Sequence, residues 1–507
     1  MTSPCSTPGP EILTSEGRVR GAEGRDSVYR YLGIPYAAAP LGRYRFAPPR
    51  PAEPWTGVRD ARHYGPTAPK GAYPAVFAPL FAEVDVPGDE FLNVNVWTPV
   101  APGEDAGLPV LVWIHGGSYV NGSGANPEYR GDAFARDGVV AVTLNYRLGA
   151  EGFLHLDDAE PSAPGLLDQL AALRWVRRNI AAFGGDPSRV TVAGQSAGGG
   201  SVLHLLAMEP SAGLFRAAVA QSSLGQIPLP PAAGREVTAD LARRVGSAPS
   251  RAALFEVPLP ELTAAASSLT AEVQMGTHPK RWSAAVNLSL LPFQPVLDGR
   301  TVSRAPYDAY AGGAGAGIPL LIGTTAEEGR LFLVPTGAID AVDEAALSAA
   351  AGSFGLEAEG AVAVYRRRLS GGSPGDVLAA LFTDWFFRIP AIRAAELRGA
   401  AGATTYAYEF AVRSDSYDGR LGACHGMELP YVFDTLDEPG AALRVGSSPS
   451  RAAAKAVHAG WVRFISETQP GWAPYEPPNR TTMCFDAFGE PVDDPRRAER
   501  ELWSGHR

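Results

Sequence analysis

The twenty residues from Arg189 to Met208, RVTVAGQSAGGGSVLHLLAM, constrain the fold of this chain more than any other stretch. Arg189 to Ala193 is a short β-branched run that reads as a buried strand, and Ser196 to Met208 reads as a helix leaving its end. Only a sharp turn can join the two, and the small residues around Ser196 make room for it. The same grammar runs upstream. Leu108 to Ile114 (LPVLVWI) and Val139 to Leu144 (VVAVTL) predict strands. Between the second of these and Arg189, apolar residues at 166, 170, 173, 176, 180 and 183 predict a helix, stopped by GGDPS at 184–188. Strand and helix in alternation mean βαβ units, a parallel sheet and right-handed crossovers. Phe215 to Gln221, Ile318 to Gly323 and Thr404 to Val412 are further strand candidates. Shorter alternating runs up to Trp97 suit an antiparallel sheet edge. The Ala- and Pro-rich residues 226–290 carry no sheet signal and read as helical insertions roofing a pocket. The expected architecture is α/β: one domain over residues 1–507, with a large, mostly parallel sheet, flanking helices and a loosely ordered start at about 1–10.

Composition removes several function classes. A formal charge of −10 and the lack of any Lys/Arg cluster argue against a nucleic-acid partner. Three cysteines, Cys5, Cys424 and Cys484, are too few and too scattered for a disulfide framework or a zinc site. The first residues, MTSPCSTPGPEILTSEG, lack a basic start followed by an apolar run. No stretch approaches the roughly 20 apolar residues of a membrane helix. The expectation is a cytoplasmic monomer or weak homo-oligomer with no membrane partner, no metal and no cofactor.

The turn itself carries chemistry. Gly194 to Gly198 (GQSAG) fits the G-x-S-x-G pattern of a nucleophile elbow, which makes Ser196 the candidate nucleophile. The pattern alone is weak, and the strand before it and the helix after it make it specific. A tetrahedral intermediate needs N–H donors: one comes from the residue after the nucleophile, Ala197, and others from a glycine-rich loop after an earlier strand. WIHGGSYVNGSG supplies that loop, with His115, Gly116, Gly117 and Ser118. His115 precedes the glycines and lies before Ser196, so it reads as shaping the loop.

Where a serine sits on such an elbow, the acid and then the histidine follow it along the chain. His63, His115, His155 and His204 come too early or too close, and His278 leaves no room for an acid. His506 is the penultimate residue, and His458 lies in a helical pattern. His425, in the loop RLGACHGMELPYVF past the Thr404 strand, is the candidate base. The strand in IPLLIGTTAEEGRLF runs into Glu327 and Glu328. One of these faces the site and the other is a solvated neighbour; spacing leaves the choice even. Asp298, followed by glycine, reads as a turn.

From about Ile12 to Asp486 the chain resembles the type-B carboxylesterases, the α/β-hydrolase family of cholinesterase-like and bacterial p-nitrobenzyl-type esterases. YLGIPYAAAPLGRYRFAPP, FLNVNVWTP, WIHGGSYVNGSG, NYRLGAEGFL, GLLDQLAALRWVRRNIAAFGGDPSRVTVAGQSAGG and CHGMELPYVF carry the resemblance. It implies a carboxylic ester hydrolase with a Ser196–His425–Glu328 triad, the acid being the glutamate directly before the glycine. It also implies an oxyanion hole from Gly117, Ser118 and Ala197, with Gly116, Gln195 and Ser222 supporting the site. Ser118 stands where many members have a third glycine. Leu229, Leu331 and Phe332 fall at substrate-pocket positions. Gln195 replaces the usual glutamate, which disfavours a cationic alcohol and points to uncharged small to medium esters. Phe91 replaces the first cysteine of a disulfide found in secreted members. Leu229 replaces a tryptophan of members with narrow acyl pockets, implying room for a larger acyl group. An acyltransferase using the same triad and a non-catalytic binding protein are the alternatives.

Overall fold

In a computed structural model, which describes residues 9–158, 162–487 and 489–506, the apolar runs lie side by side in one eleven-stranded sheet. In chain order its strands are β1 (Ala22–Glu23), β2 (Tyr29–Pro35), β3 (Asn93–Thr98), β4 (Leu108–Ile114), β5 (Val140–Leu144) and β6 (Gly185–Gln195). They continue with β7 (Ala217–Gln221), β8 (Leu320–Thr325), β9 (Thr405–Phe410), β10 (Thr481–Phe485) and β11 (Glu490–Asp493). Across the sheet they run β11-β10-β9-β8-β7-β6-β4-β5-β3-β2-β1. From β10 to β5 every neighbouring pair is parallel. At the edges β11 pairs antiparallel with β10, and β3, β2 and β1 continue antiparallel from β5. The α/β-hydrolase expectation therefore holds.

Strand β4 explains why the sheet is covered on both faces. Val110, Val112 and Ile114 join one apolar core, with Leu166, Leu170, Leu173 and Val176 of helix α1 (Pro164–Asn179). Leu111 and Trp113 enter the other, with Val457, Trp461 and Phe464 of the helix Arg451–Glu467. A strand buried on both faces has no polar face to alternate with, so it reads as a continuous apolar run. Because β5 lies on one side of β4 and β6 on the other, the strand order reverses there. Crevices at the carboxyl ends of strands open at such a reversal.

Some boundaries differ from expectation. The expected helix is α-helical only to Asn179, and a 3-10 turn, Ile180–Phe183, follows. Strand β6 starts at Gly185 rather than Arg189, because the polar residues 185–188 are drawn into the sheet through the Leu108–Gly185 pairing. The edge strands β10 and β11 carried no sequence signal, and part of the alternating N-terminal region forms a separate three-stranded sheet of Glu11–Leu13, Arg18–Arg20 and Val58–Asp60 rather than the edge of the main one. Residues 226–290 are helical as expected, chiefly Pro231–Arg244 and Leu259–Gln274. Most of the expected loose start lies at residues 1–8, outside the described residues. Among the described residues no helix is long and apolar enough to cross a membrane.

Candidate active site

Strand β6 ends at Gln195, and helix α2 (Ala197–Ala207) begins two residues later, so Ser196 alone makes the turn. Its backbone takes φ 56° and ψ −124°, a strained conformation for a residue with a Cβ. Three hydrogen bonds hold it there. The Ser196 N–H donates to the Gln221 carbonyl at 2.9 Å, and its carbonyl accepts from Gly200 at 2.9 Å and Leu224 at 3.0 Å. The crossing is tight enough that a Cβ on Gly198 would collide with the Ile114 carbonyl of β4. The loop after β4 comes as close on the other side. A Cβ on Gly116 would lie 2.8 Å from the Gln195 carbonyl and 3.0 Å from Ser196 Cβ. Beyond it, Gly117 (φ 113°), Ser118 (φ 55°) and Tyr119 (φ 61°) turn the loop back on itself. The backbone N–H groups of Gly117, Ser118 and Ala197 make no backbone hydrogen bond among the described residues, which leaves them free to donate to a ligand oxygen.

The base and acid candidates meet. His425 Nδ1–H donates to Glu328 Oε2 at 2.6 Å, and the other carboxylate oxygen, Oε1, accepts the Thr325 N–H at 2.8 Å. Glu328 is fully buried, so these bonds fix its orientation. With its proton on Nδ1, His425 presents a bare Nε2. The Gln195 amide nitrogen lies 3.1 Å from Nε2 and donates to it. No hydrogen bond joins His425 to Ser196 among the described residues, although both line one cavity. Free enzymes often show such loose pairs, which tighten when substrate arrives. The imidazole packs against the rings of Phe387 and Phe332, with centroids 4.8 Å and 5.6 Å away.

Glu327 is not the solvated neighbour the sequence suggested. It is ion-paired with Arg330 at 2.8 Å and with Arg413, and its Oε2 accepts the Ala423 N–H at 2.9 Å. Burial opposes its ionisation, but these three partners win and hold its pKa below the ordinary carboxyl value. It thereby ties the loop that carries His425 to the end of β8.

Sequence reasoning missed a further acid, Glu428. It is fully buried three residues after His425 and takes the Gln221 amide N–H at 3.2 Å, while Gln221 accepts from Trp461 at 2.8 Å. Burial, with the Glu328 charge nearby, raises its pKa from 4.5 to about 7. Because the folded value lies above the unfolded one, the folded state binds the extra proton between them, and stability falls as pH rises through that window. Glu428→Gln keeps the Gln221 bond and removes the titration. Relative to wild type it should gain on the order of 3 kcal/mol between pH 4.5 and pH 8. Denaturant unfolding of both proteins at the two pH values checks this, and parallel curves would refute it.

The remaining candidates fall into place. His115 is buried, pushed down to about 4 by burial, and stacks on Tyr146 at 4.5 Å with Nδ1 2.8 Å from the Gly116 carbonyl oxygen. Ser222 is buried at the end of β7. Cys424, beside His425, is a buried thiol that burial raises to about 12, so it stays protonated and inert. Asp298 accepts backbone N–H groups of its own turn, and His458 is packed in its helix against the Val432 carbonyl at 2.6 Å.

One cavity contains both Ser196 and His425. Leu331 and Phe332 line it, but Leu229 does not; Leu229 lines an adjacent cavity that shares Leu224. The expected roof, residues 226–290, gives the Ser196 cavity only Gln274, and lines the adjacent one. Its wall comes instead from an irregular segment carrying Tyr73, Phe77, Phe81 and Glu83. That segment has no helical or strand period, so sequence alone gave no signal for it. Glu83 is paired with Lys70 at 3.6 Å.

Comparison with known proteins places these features in context. The profile described as the Carboxylesterase family matches residues 8–491. The para-nitrobenzyl esterase of Bacillus subtilis (strain 168) is 35% identical, over 97% of each chain. The phenmedipham hydrolase of Pseudarthrobacter oxydans is 36% identical, over 88% of this chain and 87% of its own. A Geobacillus stearothermophilus carboxylesterase crystallised at pH 6.2 superposes with a TM-score of 0.84 at 35% identity, covering 97% of this chain and 99% of that one.

Proposed function

Because this chain belongs to the carboxylesterase family and is a carboxylic ester hydrolase, we propose that it works through an acyl-enzyme on Ser196, with His425 as base and Glu328 as the group that holds the base. The observation that carries this is the 2.6 Å bond from His425 Nδ1 to the fully buried Glu328. It leaves the lone pair of Nε2 on the side of the ring away from Glu328.

In the first half-reaction Nε2 takes the Ser196 hydroxyl proton as Oγ bonds to the ester carbonyl carbon. The carbonyl oxygen becomes an oxyanion, which accepts from the N–H groups of Gly117, Ser118 and Ala197. Collapse breaks the bond to the alcohol oxygen, and His425 returns its proton there. In the second half a water molecule loses a proton to Nε2 and attacks the acyl carbon. Ser196 leaves, reprotonated, with the free acid. Glu328 stays ionised throughout and stabilises the imidazolium.

Uncharged small to medium esters are the substrate class. The aromatic wall and the neutral Gln195 favour them, and one relative's name specifies p-nitrobenzyl esters, whose alcohol is uncharged. A reducing, cytoplasmic setting accords with Cys424 and Cys484 standing as free thiols.

The test is a p-nitrophenyl ester series from acetyl to decanoyl, followed through the first turnover. An acyl-enzyme mechanism whose second half is slow gives a burst of p-nitrophenolate equal to the enzyme present, then steady release of free acid. Failure to turn over any ester would sink the reading. Acyl groups passing mainly to an added alcohol at low concentration, rather than to water, would make the protein an acyltransferase.

A further inference from the structure

The cavity adjacent to the Ser196 site is mostly apolar, with Gln226, Gln294, Ser289 and Trp385 as its polar-bearing lining residues. Gln294 is 1% exposed, and neither its Nε2 nor its Oε1 has a partner among the described residues. Gln226 is 3% exposed, and its Oε1 is likewise unpartnered. Both residues line the cavity, among Leu229, Leu288, Phe386 and Ile227. Buried amides are normally satisfied, and an unsatisfied one is costly, so two in one cavity need a reason.

The backbone sets the pair side by side. Leu229 N–H donates to the Pro295 carbonyl at 3.0 Å, and Leu297 N–H donates to the Leu229 carbonyl at 2.9 Å. This two-way bridge fastens the segment holding Gln226 to the segment holding Gln294. Gly225 takes φ 81°, and a Cβ there would stand 3.3 Å from Gln294 Oε1 and 2.7 Å from the Tyr119 ring. The chain thus passes close to the amide on its way from the strand after the nucleophile.

Only one arm of an ester can reach this cavity. His425 must protonate the leaving alcohol oxygen, and His425 lines the Ser196 cavity but not the adjacent one. The alcohol arm therefore stays beside His425. The acyl arm is left to pass Leu224, which both cavities share.

On the acyl-enzyme reading above, we propose that the adjacent cavity takes the acyl arm and that Gln226 and Gln294 select acyl groups ending in a neutral hydrogen-bonding group, such as a carboxamide, over plain alkyl chains. An amide offers the cavity both a donor and an acceptor, matching what Gln294 leaves unused. A site built to bond a polar group discriminates against the analogue that lacks it, because its own polar atoms stay unpaired.

The experiment compares p-nitrophenyl esters of glutaramic, adipamic and pimelamic acids with their isosteres, in which an isopropyl group replaces the carboxamide. At the best length, wild type should show kcat/KM roughly tenfold or more higher for the amide. Gln294→Leu and Gln226→Leu should bring that ratio to one or below. Each ratio is read on a single preparation, so partial misfolding cancels. A wild-type preference for the isostere at every length overturns the proposal, as does an amide preference that survives both substitutions; either would mean that water satisfies these amides. The acetate ester is too short to reach the cavity. Acetate turnover without amide preference sinks this inference alone, whereas no turnover of any ester sinks the acyl-enzyme reading with it.

Discussion

Ser196→Ala should lower kcat for p-nitrophenyl butyrate by at least about a thousandfold while leaving the melting temperature nearly unchanged. The two halves of this expectation rest on different features. Turnover falls because the Oγ that would bond to the acyl carbon is gone, and the proposed oxyanion donors Gly117, Ser118 and Ala197 would retain only a residual acceleration. Stability holds because alanine carries the same Cβ into the strained turn at φ 56°, and the three bonds that hold the turn come from the backbone. Ser222, at the end of β7, is fully buried and out of reach of a substrate. Steady-state kinetics and thermal melts on both proteins decide it. A variant that retains more than about a tenth of wild-type turnover would move the nucleophile elsewhere, and one that melts much earlier would make its loss of activity uninformative.

The elbow and its flanking strands were legible because each is local, and the proposed order of nucleophile, acid and base follows from topology. Val110 and Leu111 enter opposite cores, and a strand buried on both faces announces itself as an unbroken apolar run. The choice between Glu327 and Glu328 was not legible from spacing. It turns on contacts across the sheet: Thr325 and His425 claim Glu328, while Arg413 and Ala423, from a loop some ninety residues on, claim Glu327. Glu428 was missed for the same reason, since nothing near it in sequence says that Gln221 and Glu328 will bury it. Residues 226–290 read as a pocket roof because they are the visible insertion, and they do line the cavity adjacent to Ser196, through residues such as Leu229 and Leu288. The Ser196 cavity itself takes its wall from the aromatic segment around Phe77 and Phe81, which has no period to betray it.

Glu328→Gln should cost about ten-thousandfold in kcat, although it removes only a charge. The Thr325 N–H, 2.8 Å from Oε1, decides how the new amide lies. Thr325 needs an acceptor, so the amide oxygen turns to it and the amide NH2 faces His425 Nδ1. A donor there forces the imidazole proton onto Nε2, which then has no lone pair for the Ser196 proton, and no negative charge remains to stabilise an imidazolium. Glu327→Gln is the matched control. It breaks the ion pairs with Arg330 and Arg413 but still offers an oxygen to Ala423. Its effect should fall on stability, about 1 to 2 kcal/mol at neutral pH, with kcat within about tenfold of wild type. The sign with pH follows from the lowered pKa of Glu327: its contribution is present above the ordinary carboxyl value and is lost as pH falls through the folded one. The stability gap between Glu327→Gln and wild type should therefore close in acid. Equal losses of turnover in the two glutamine variants would mean that position, rather than tautomer, is what the buried acid supplies.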